Sequence, residues 1–280
     1  MPIPIPADLL ERACSAAAVS QAYVHGRQCA NGGFCFYRFQ YLEEPNLADT
    51  YYAVASLRLL GAPLPNRDAI ARFVAEARAG GPAALYYATA IFDHLDEEPP
   101  AALEMSARGL VIRRPGDDSA ESVSRWLAET AQLAWLRRRF RMDAPEAISP
   151  LLERWSKGGG YGRHPNLPDT WQAMSALVAL NEQPSVETGS FVDSLQAAGV
   201  GFRWAPAAAA TTIEVLRAGV GCCTALGIPV RFPDDVLRFV LSCQANDGAF
   251  ARRAPALPDL ESTHAALTVI AAVAGSGWPR

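Results

Sequence analysis

The sequence predicts an all-α fold, an α/α toroid of about six helical hairpins closed into a ring. Three observations carry this expectation. An internal repeat runs along the chain, each copy ends in a capped apolar run at helical spacing, and alternating β-branched segments are nearly absent.

The repeat is clearest in three segments, 29–61, 156–180 and 243–273. Each has a glycine-containing turn, an aromatic residue, a proline-bearing loop and then a helix start. The first two share P-N-L-x-D-T outright. A weaker copy spans 199–219. Its aromatic, Phe202, stands between Tyr161 and Phe250 at steps of about 40–50 residues, one helical hairpin each. The gap after Gly61 leaves room for two degenerate hairpins, expected at 68–95 and 119–140.

Taken in order, Asp49-Thr50 opens a helix whose apolar positions are Tyr52, Val54, Ala55 and Leu57. Asp169-Thr170 does the same before Met174, Leu177 and Val178. Asp or Thr at a helix start accepts a hydrogen bond from an orphan backbone N–H, and the Asp charge suits the helix dipole. Gly61, Gly227 and Gly275 stand where helices should stop. Pro63, Pro184 and Pro229 punctuate the connections. Alanine runs at 207–210 and 265–272 allow close helix contact. The whole chain, 1–280, is read as one domain of such repeats.

Composition narrows the function classes. Half of the 280 residues are hydrophobic and 19% are charged, below the usual quarter, which favours a large core and an apolar cavity. The net charge of −4 argues against bulk nucleic-acid binding. No apolar stretch is long enough for a membrane span or a signal peptide. The six cysteines form no C-x-x-C pair, and a cytoplasmic protein with reduced thiols is expected.

The pattern of a Gly-Gly-aromatic turn, a proline-bearing loop and an Asp-Thr-aromatic helix resembles the repeat of protein prenyltransferase β-subunits and squalene/terpene cyclases. Here it is carried by Asn31-Gly32-Gly33-Phe34 with Asp49-Thr50-Tyr51-Tyr52, by Gly159-Gly160-Tyr161 with Asp169-Thr170-Trp171, and by Asp247-Gly248-Ala249-Phe250. The resemblance implies a ring whose inner helices start around one mouth of a central lumen. The zinc ligands of protein prenyltransferases, an Asp-x-Cys pair and a His, would fall on Ala208, Ala210 and Ser262, so no ligand survives. Glu214, Glu261 and His264 remain as the only donor set near those places. The Asp-x-Asp-Asp acid of class II cyclases is also missing; Asp117-Asp118 and Asp234-Asp235 read as loop turns or helix starts.

By that resemblance, the acid or electrophile-handling candidates are Asp49, Asp169, Glu214, Glu261 and His264. The lumen-wall candidates are Tyr51, Tyr52, Tyr86, Trp171 and Gln172, with one of Tyr86 and Tyr87 expected to face inward. Tyr51 and Tyr52 both stand as candidates, although consecutive residues cannot all face one side. Arg38 and Arg163, beside repeat turns, are candidate anion contacts. The basic run Arg137, Arg138, Arg139 and Arg141 reads as a solvated helix face. The resemblance implies an isoprenoid or other apolar ligand, transferred or cyclised, with no cofactor except magnesium alongside a diphosphate substrate. Aromatic walls suit that chemistry because ring faces stabilise carbocations. Two other readings stay open: a non-catalytic toroid that binds a protein partner or pairs with its own copy, and a carboxylate-based glycan-active enzyme. The lining of the lumen decides among them.

Overall fold

The computed structural model describes residues 5–36, 38–39, 42–112, 114–142 and 148–275. In chain order the helices are α1 (Ala7–His25), α2 (Leu47–Leu59), α3 (Arg67–Glu76), α4 (Gly81–His94), α5 (Ala101–Arg108), α6 (Ala120–Arg139), α7 (Ser149–Glu153), α8 (Leu167–Ala179), α9 (Val186–Ser194), α10 (Ile213–Leu226), α11 (Pro233–Ser242) and α12 (Leu260–Ala274). Three two-residue antiparallel ribbons sit in the repeat turns: β1 (Arg38–Phe39) with β2 (Leu42–Glu43), β3 (Ser156–Lys157) with β4 (Gly160–Tyr161), and β5 (Gln196–Ala197) with β6 (Gly201–Phe202).

The even-numbered helices form the inner ring. Each packs against the next, from α2 through α4, α6, α8 and α10 to α12, and α12 returns to α2. The odd-numbered helices lie outside: α3 on α4, α5 on α4 and α6, α9 on α10, and α11 on α10 and α12. Helix α1 packs against α11, α12 and α2, so the first outer helix seals the ring. The all-α toroid expected from the repeat is thereby present.

Each repeat motif does a definite job. Helix α2 is capped by Asn46, whose Oδ1 accepts from Asp49 N at 2.8 Å; helix α8 is capped in the same way by Asn166, which accepts from Asp169 N at 3.0 Å. The helices therefore start two residues before the Asp-Thr pairs, at Leu47 and Leu167, which corrects the expected starts. Asn leads Asp in P-N-L-x-D-T, and its short amide reaches the orphan N–H groups first. A threonine in the first turn of each of α2, α8 and α12 ties the preceding turn to the helix. Phe34 N donates to Thr50 Oγ1, Tyr161 N to Thr170 Oγ1 and Phe250 N to Thr263 Oγ1, each at 3.0 Å. Those hydroxyls in turn donate to the carbonyls of Asn46, Asn166 and Asp259 at 2.7, 2.6 and 2.6 Å. A buried backbone N–H that ribbon pairing leaves free is thus satisfied.

The aromatic in each turn enters the core. Phe34, Phe202 and Phe250 are fully buried. The glycines beside them let a turn touch the next outer helix. A Cβ on Gly159, at φ 82°, would lie 2.2 Å from Glu187 O of α9. The first repeat's turn likewise meets Ala69 of α3, and the fifth meets Val236 of α11. The sixth, at Gly248, meets Val19 of α1 across the seam. There Ser20 Oγ donates to Gly248 O and Gln244 Nε2 to Ala16 O, both at 2.8 Å.

Of the two degenerate hairpins, the first is present as α3 and α4. The second is corrected: 119–140 is one 20-residue helix, α6, with Ser119 at its N-cap, and its outer partner is the short α5. Nothing between Ser119 and Phe140 breaks a helix, since no Gly or Pro occurs there. The helix stops at Gly61, Gly227 and Gly275 all have positive φ. None of the six cysteines is in a disulfide. Burial pushes the Cys222 thiol up, and burial followed by Asp193 pushes Cys223 up to about 12, so both are inert core residues. Among the described residues no helix is long and apolar enough to cross a membrane.

Candidate functional site

All six inner helices turn side chains into one cavity of about 450 Å³ at the end of the ring where they start. Helix α2 supplies Tyr51 and Tyr52, α4 supplies Tyr86 and Tyr87, and α6 supplies Ala128, Ala131, Gln132 and Trp135. Helix α8 adds Trp171, Gln172 and Ser175, α10 adds Glu214 and Arg217, and α12 adds Glu261. The steps of three and four residues along α6, α8 and α10 are the stripe by which a helix faces one direction. Both tyrosines of each pair line the cavity; for Tyr86 and Tyr87 only one was expected. Successive residues are 100° apart on a helix, so two neighbours straddling the inward direction each lean about 50° off it.

The tyrosines form a connected cluster. Tyr51 and Tyr86 share a hydrogen bond of 3.1 Å, and Tyr52 and Tyr87 one of 3.2 Å. Tyr52 OH donates to Glu261 Oε1 at 2.9 Å. Its single proton is then committed, so Tyr87 is the donor to Tyr52 and the chain runs Tyr87 to Tyr52 to Glu261. Burial first, and then Glu261 beside Tyr52 and Tyr51 beside Tyr86, holds these phenols well above the usual range, so they stay neutral donors. Trp135 stands edge-on to Tyr86 with ring centres 5.0 Å apart, and His264 lies 6.0 Å from Tyr51 and 5.9 Å from Tyr52.

Deeper along α8, α10 and α12 the lining becomes apolar. A second cavity, about 320 Å³, is bounded by Trp171, Arg217, Val220, Gly221, Thr224, Ala225, His264, Thr268, Val269 and Ala272; the two threonine hydroxyls donate to the carbonyls of Val220 and His264. A third, about 340 Å³, lies to the side of the mouth against Glu214, Arg217, Arg252, Asp259 and Glu261. Arg217 lines all three. Its Nε is buried without a hydrogen-bond partner, and so are Gln132 Oε1 and His264 Nδ1. A larger cleft of about 570 Å³ lies outside the ring, between α6 and the stretch that follows α5; it gathers side chains from few elements.

Of the expected site residues, the structure brings together Tyr51, Tyr52, Tyr86, Trp171, Gln172, Glu214 and Glu261, with His264 lining the adjoining cavity. It does not bring Asp49 or Asp169 to the lumen. Asp49 Oδ2 accepts from Asn46 Nδ2 at 2.7 Å and from Phe36 N at 2.8 Å. Asp169 Oδ2 accepts from Asn166 Nδ2 at 2.7 Å and from Ser124 Oγ at 2.9 Å. Burial raises both carboxyls, and these bonds counter it, as suits cap-supporting groups. Arg163 is exposed on the turn before α8 and lines none of the lumen cavities. The Arg38 side chain lies outside the described residues. In the basic run, Arg139 pairs with Asp93 at 2.8 Å and Glu98 at 3.3 Å, and Arg137 donates to Leu110 O, so these residues knit α6 to its neighbours. Glu214, Glu261 and His264 do not combine as a metal-ligand set: among the described residues no three His, Cys, Asp or Glu side chains are grouped to hold an ion. Arg217, Gln132 and Trp135 were not expected. A three-residue step from Glu214 along its helix points to Arg217, but the repeat pattern stops short of it.

His264 faces the lumen from deep within the ring. Burial, with Arg217 and His94 adding to it, depresses its pKa to about 3. The unfolded chain takes up this proton near pH 6.5 and the folded chain only near 3, so acidification below 6.5 favours unfolding. His264→Gln is expected to remove up to about 1.4 kcal/mol per pH unit of that acid sensitivity. Urea melts of both proteins between pH 7.5 and 5 check this: their difference in stability should shift with pH below 6.5 and be constant above 7.

Residues 8–89 and 116–276 match the prenyltransferase alpha-alpha toroid domain. The chain belongs to that family. Among solved structures it is similar to the type II terpene cyclase MstE from Scytonema. Without ligand, MstE matches with TM-score 0.58 and 13% identity, over 94% of this chain and 97% of that one. An MstE variant in complex with its substrate, geranylgeranyl dihydroxybenzoate, matches with TM-score 0.58 and 11% identity over 95% and 97%. Another, with the product merosterolic acid A, matches with TM-score 0.56 and 12% identity over the same shares. At such identities the likeness is one of fold. No curated protein matches the chain by sequence. In this member of the family the lumen wall carries four tyrosines and two tryptophans.

Proposed function

We propose that this toroid holds an isoprenoid, or a ligand as apolar, in its lumen and acts on it by transfer or cyclisation. The observation that carries the reading is the convergence of four tyrosines and two tryptophans from four inner helices on one cavity that continues into an apolar one. Membership of the prenyltransferase toroid family supports it, as does the fold shared with a terpene cyclase that binds a geranylgeranyl compound. Ring faces of Tyr51, Tyr86, Trp135 and Trp171 would meet positive charge developing on an isoprenoid carbon, each worth about 0.5–2 kcal/mol. Tyr52, donating to Glu261, would relay to that carboxylate the proton lost when such a cation is quenched. Glu214 is engaged with Arg252 at 2.7 Å and is the poorer candidate for this role.

Calorimetric titration of the protein with geranylgeraniol and with geranylgeranyl diphosphate, with and without magnesium, tests the reading. Saturable binding at ~1 μM or tighter is expected for at least one of them. Trp171→Ala should weaken it at least about tenfold, the loss of one large aromatic contact. Chromatographic analysis of the incubated ligand then separates turnover from holding. The absence of saturable heat for every isoprenoid would overturn the proposal.

A further inference from the structure

Arg217 stands in the wall of all three lumen cavities. None of the ion pairs among the described residues uses Arg217, although Glu214 stands one turn before it on α10 and Glu261 lines the same cavities. Both carboxylates have other donors: Arg252 holds Glu214 and Tyr52 holds Glu261. Arg217 Nε is buried and unbonded. A buried N–H without an acceptor is costly, and such groups persist where a ligand completes them. A second unsatisfied polar atom, His264 Nδ1, lines the same apolar cavity.

The shape and charge of this place define the ligand's head. A guanidinium presents N–H groups in a rigid fork that matches a carboxylate in bidentate fashion. With Glu214 and Glu261 close by, the surroundings accept one further negative charge at most, placed directly on the Arg217 fork. A diphosphate would bring two or more into surroundings that already hold two carboxylates. Beyond Arg217 the cavity of about 320 Å³ is walled mainly by Trp171, Val220, Ala225, Val269 and Ala272, and the hydroxyls of Thr224 and Thr268 are committed to helix carbonyls, which leaves room for an apolar chain.

Resting on the reading that the lumen is the ligand site, we propose that its ligand is an apolar monocarboxylic acid, with its carboxylate on Arg217 and its chain in the cavity between α8, α10 and α12. The carboxylate accepts from the Arg217 fork and, in the tautomer that carries its proton on Nδ1, from His264.

Calorimetry on the full chain at pH 7.5 with farnesoic acid, farnesol, farnesyl diphosphate and palmitate decides the matter. Farnesoic acid should bind at least about tenfold more tightly than either farnesol or the diphosphate. Arg217→Gln should weaken the acid about 30-fold, in line with losing charge-assisted hydrogen bonds, and leave farnesol within about threefold. Arg217→Lys, which keeps the charge without the fork, should fall between. The ligand-free Arg217→Gln protein should melt at the same temperature as the parent or higher, because a buried N–H without an acceptor is gone; a large fall would mark Arg217 as structural and count against the proposal. Equal binding of acid and alcohol, tighter binding of the diphosphate, or an acid affinity indifferent to Arg217→Gln would overturn the anchor while leaving the isoprenoid reading standing. Arg217-dependent binding of palmitate with no isoprenoid bound would uphold the anchor and end the isoprenoid reading. Binding of neither acid would overturn the proposal.

Discussion

Gly159→Ala is expected to cost about 3–5 kcal/mol, enough to unfold a large share of the molecules if total stability is in the usual range. Two penalties combine. The residue sits at φ 82°, where a side chain is strained, and its Cβ would be placed 2.2 Å from Glu187 O and 2.4 Å from Glu187 C. These are backbone atoms in the first turn of α9, so no rotamer change relieves the overlap; the turn must back away from the helix. Gly158 is the control. It has φ 58° but no atom within 4 Å of its Cβ position, so Gly158→Ala should cost about 1 kcal/mol, the conformational part alone. Urea unfolding of the two variants beside the parent measures both. If they lose the same amount, the contact between turn and outer helix is not what holds this glycine.

Phe202→Ala should destabilise by a similar 3–5 kcal/mol, through lost burial and the hole left behind. The ring is fully buried and lies flat on α10 at Gly219, where an added Cβ would come within 2.5 Å of it. A helix backbone on one side cannot collapse into the space. The same geometry predicts coupling. Gly219→Ala alone should be harmful because its methyl meets the ring, yet in the Phe202→Ala background that methyl has room. The double variant should therefore be more stable than the sum of the single losses by about 1 kcal/mol or more, measured in a double-mutant cycle. Additive losses would mean that ring and helix do not meet as described.

Much of this architecture was legible in the sequence because the repeat records backbone requirements. The glycine turn, the aromatic and the Asp-Thr pair each answer a local need, namely close approach, a core anchor and a satisfied N–H. Such needs recur wherever the hairpin recurs. What the motif left ambiguous was the residue that carries the cap. Asn46 and Asn166 precede the Asp-Thr pairs, and Asp and Asn are nearly equal as caps, so composition alone could not choose. Helix α6 was misread because its hairpin has lost the motif, while its uninterrupted run of helix formers was the better signal. In the lumen, Tyr51, Tyr52, Trp171 and Glu261 were found through their positions just inside helix starts. Arg217 was missed because what distinguishes it is the lack of a partner, a property of three-dimensional surroundings that no spacing encodes. Asp49 and Asp169 looked chemical for the opposite reason: a carboxylate next to a helix start reads alike whether it supports a cap or serves a reaction.

The seam between α1 and the sixth repeat has a consequence for the order of events in folding. Ser20, Ala16 and Val19 meet Gln244 and Gly248 across a sequence separation of 228 residues for the bonded pairs. An open array of hairpins can add units one at a time, each stabilised by its predecessor. A ring cannot finish that way. Its first helix keeps an unsatisfied flank until the last hairpin arrives, and the entropy of joining such distant segments must be met in one step. During synthesis the apolar side of α1 therefore waits, exposed, for most of the chain to emerge. Any factor that shields this helix, or any change that weakens the seam, would act on the time spent unsealed more than on the finished barrel.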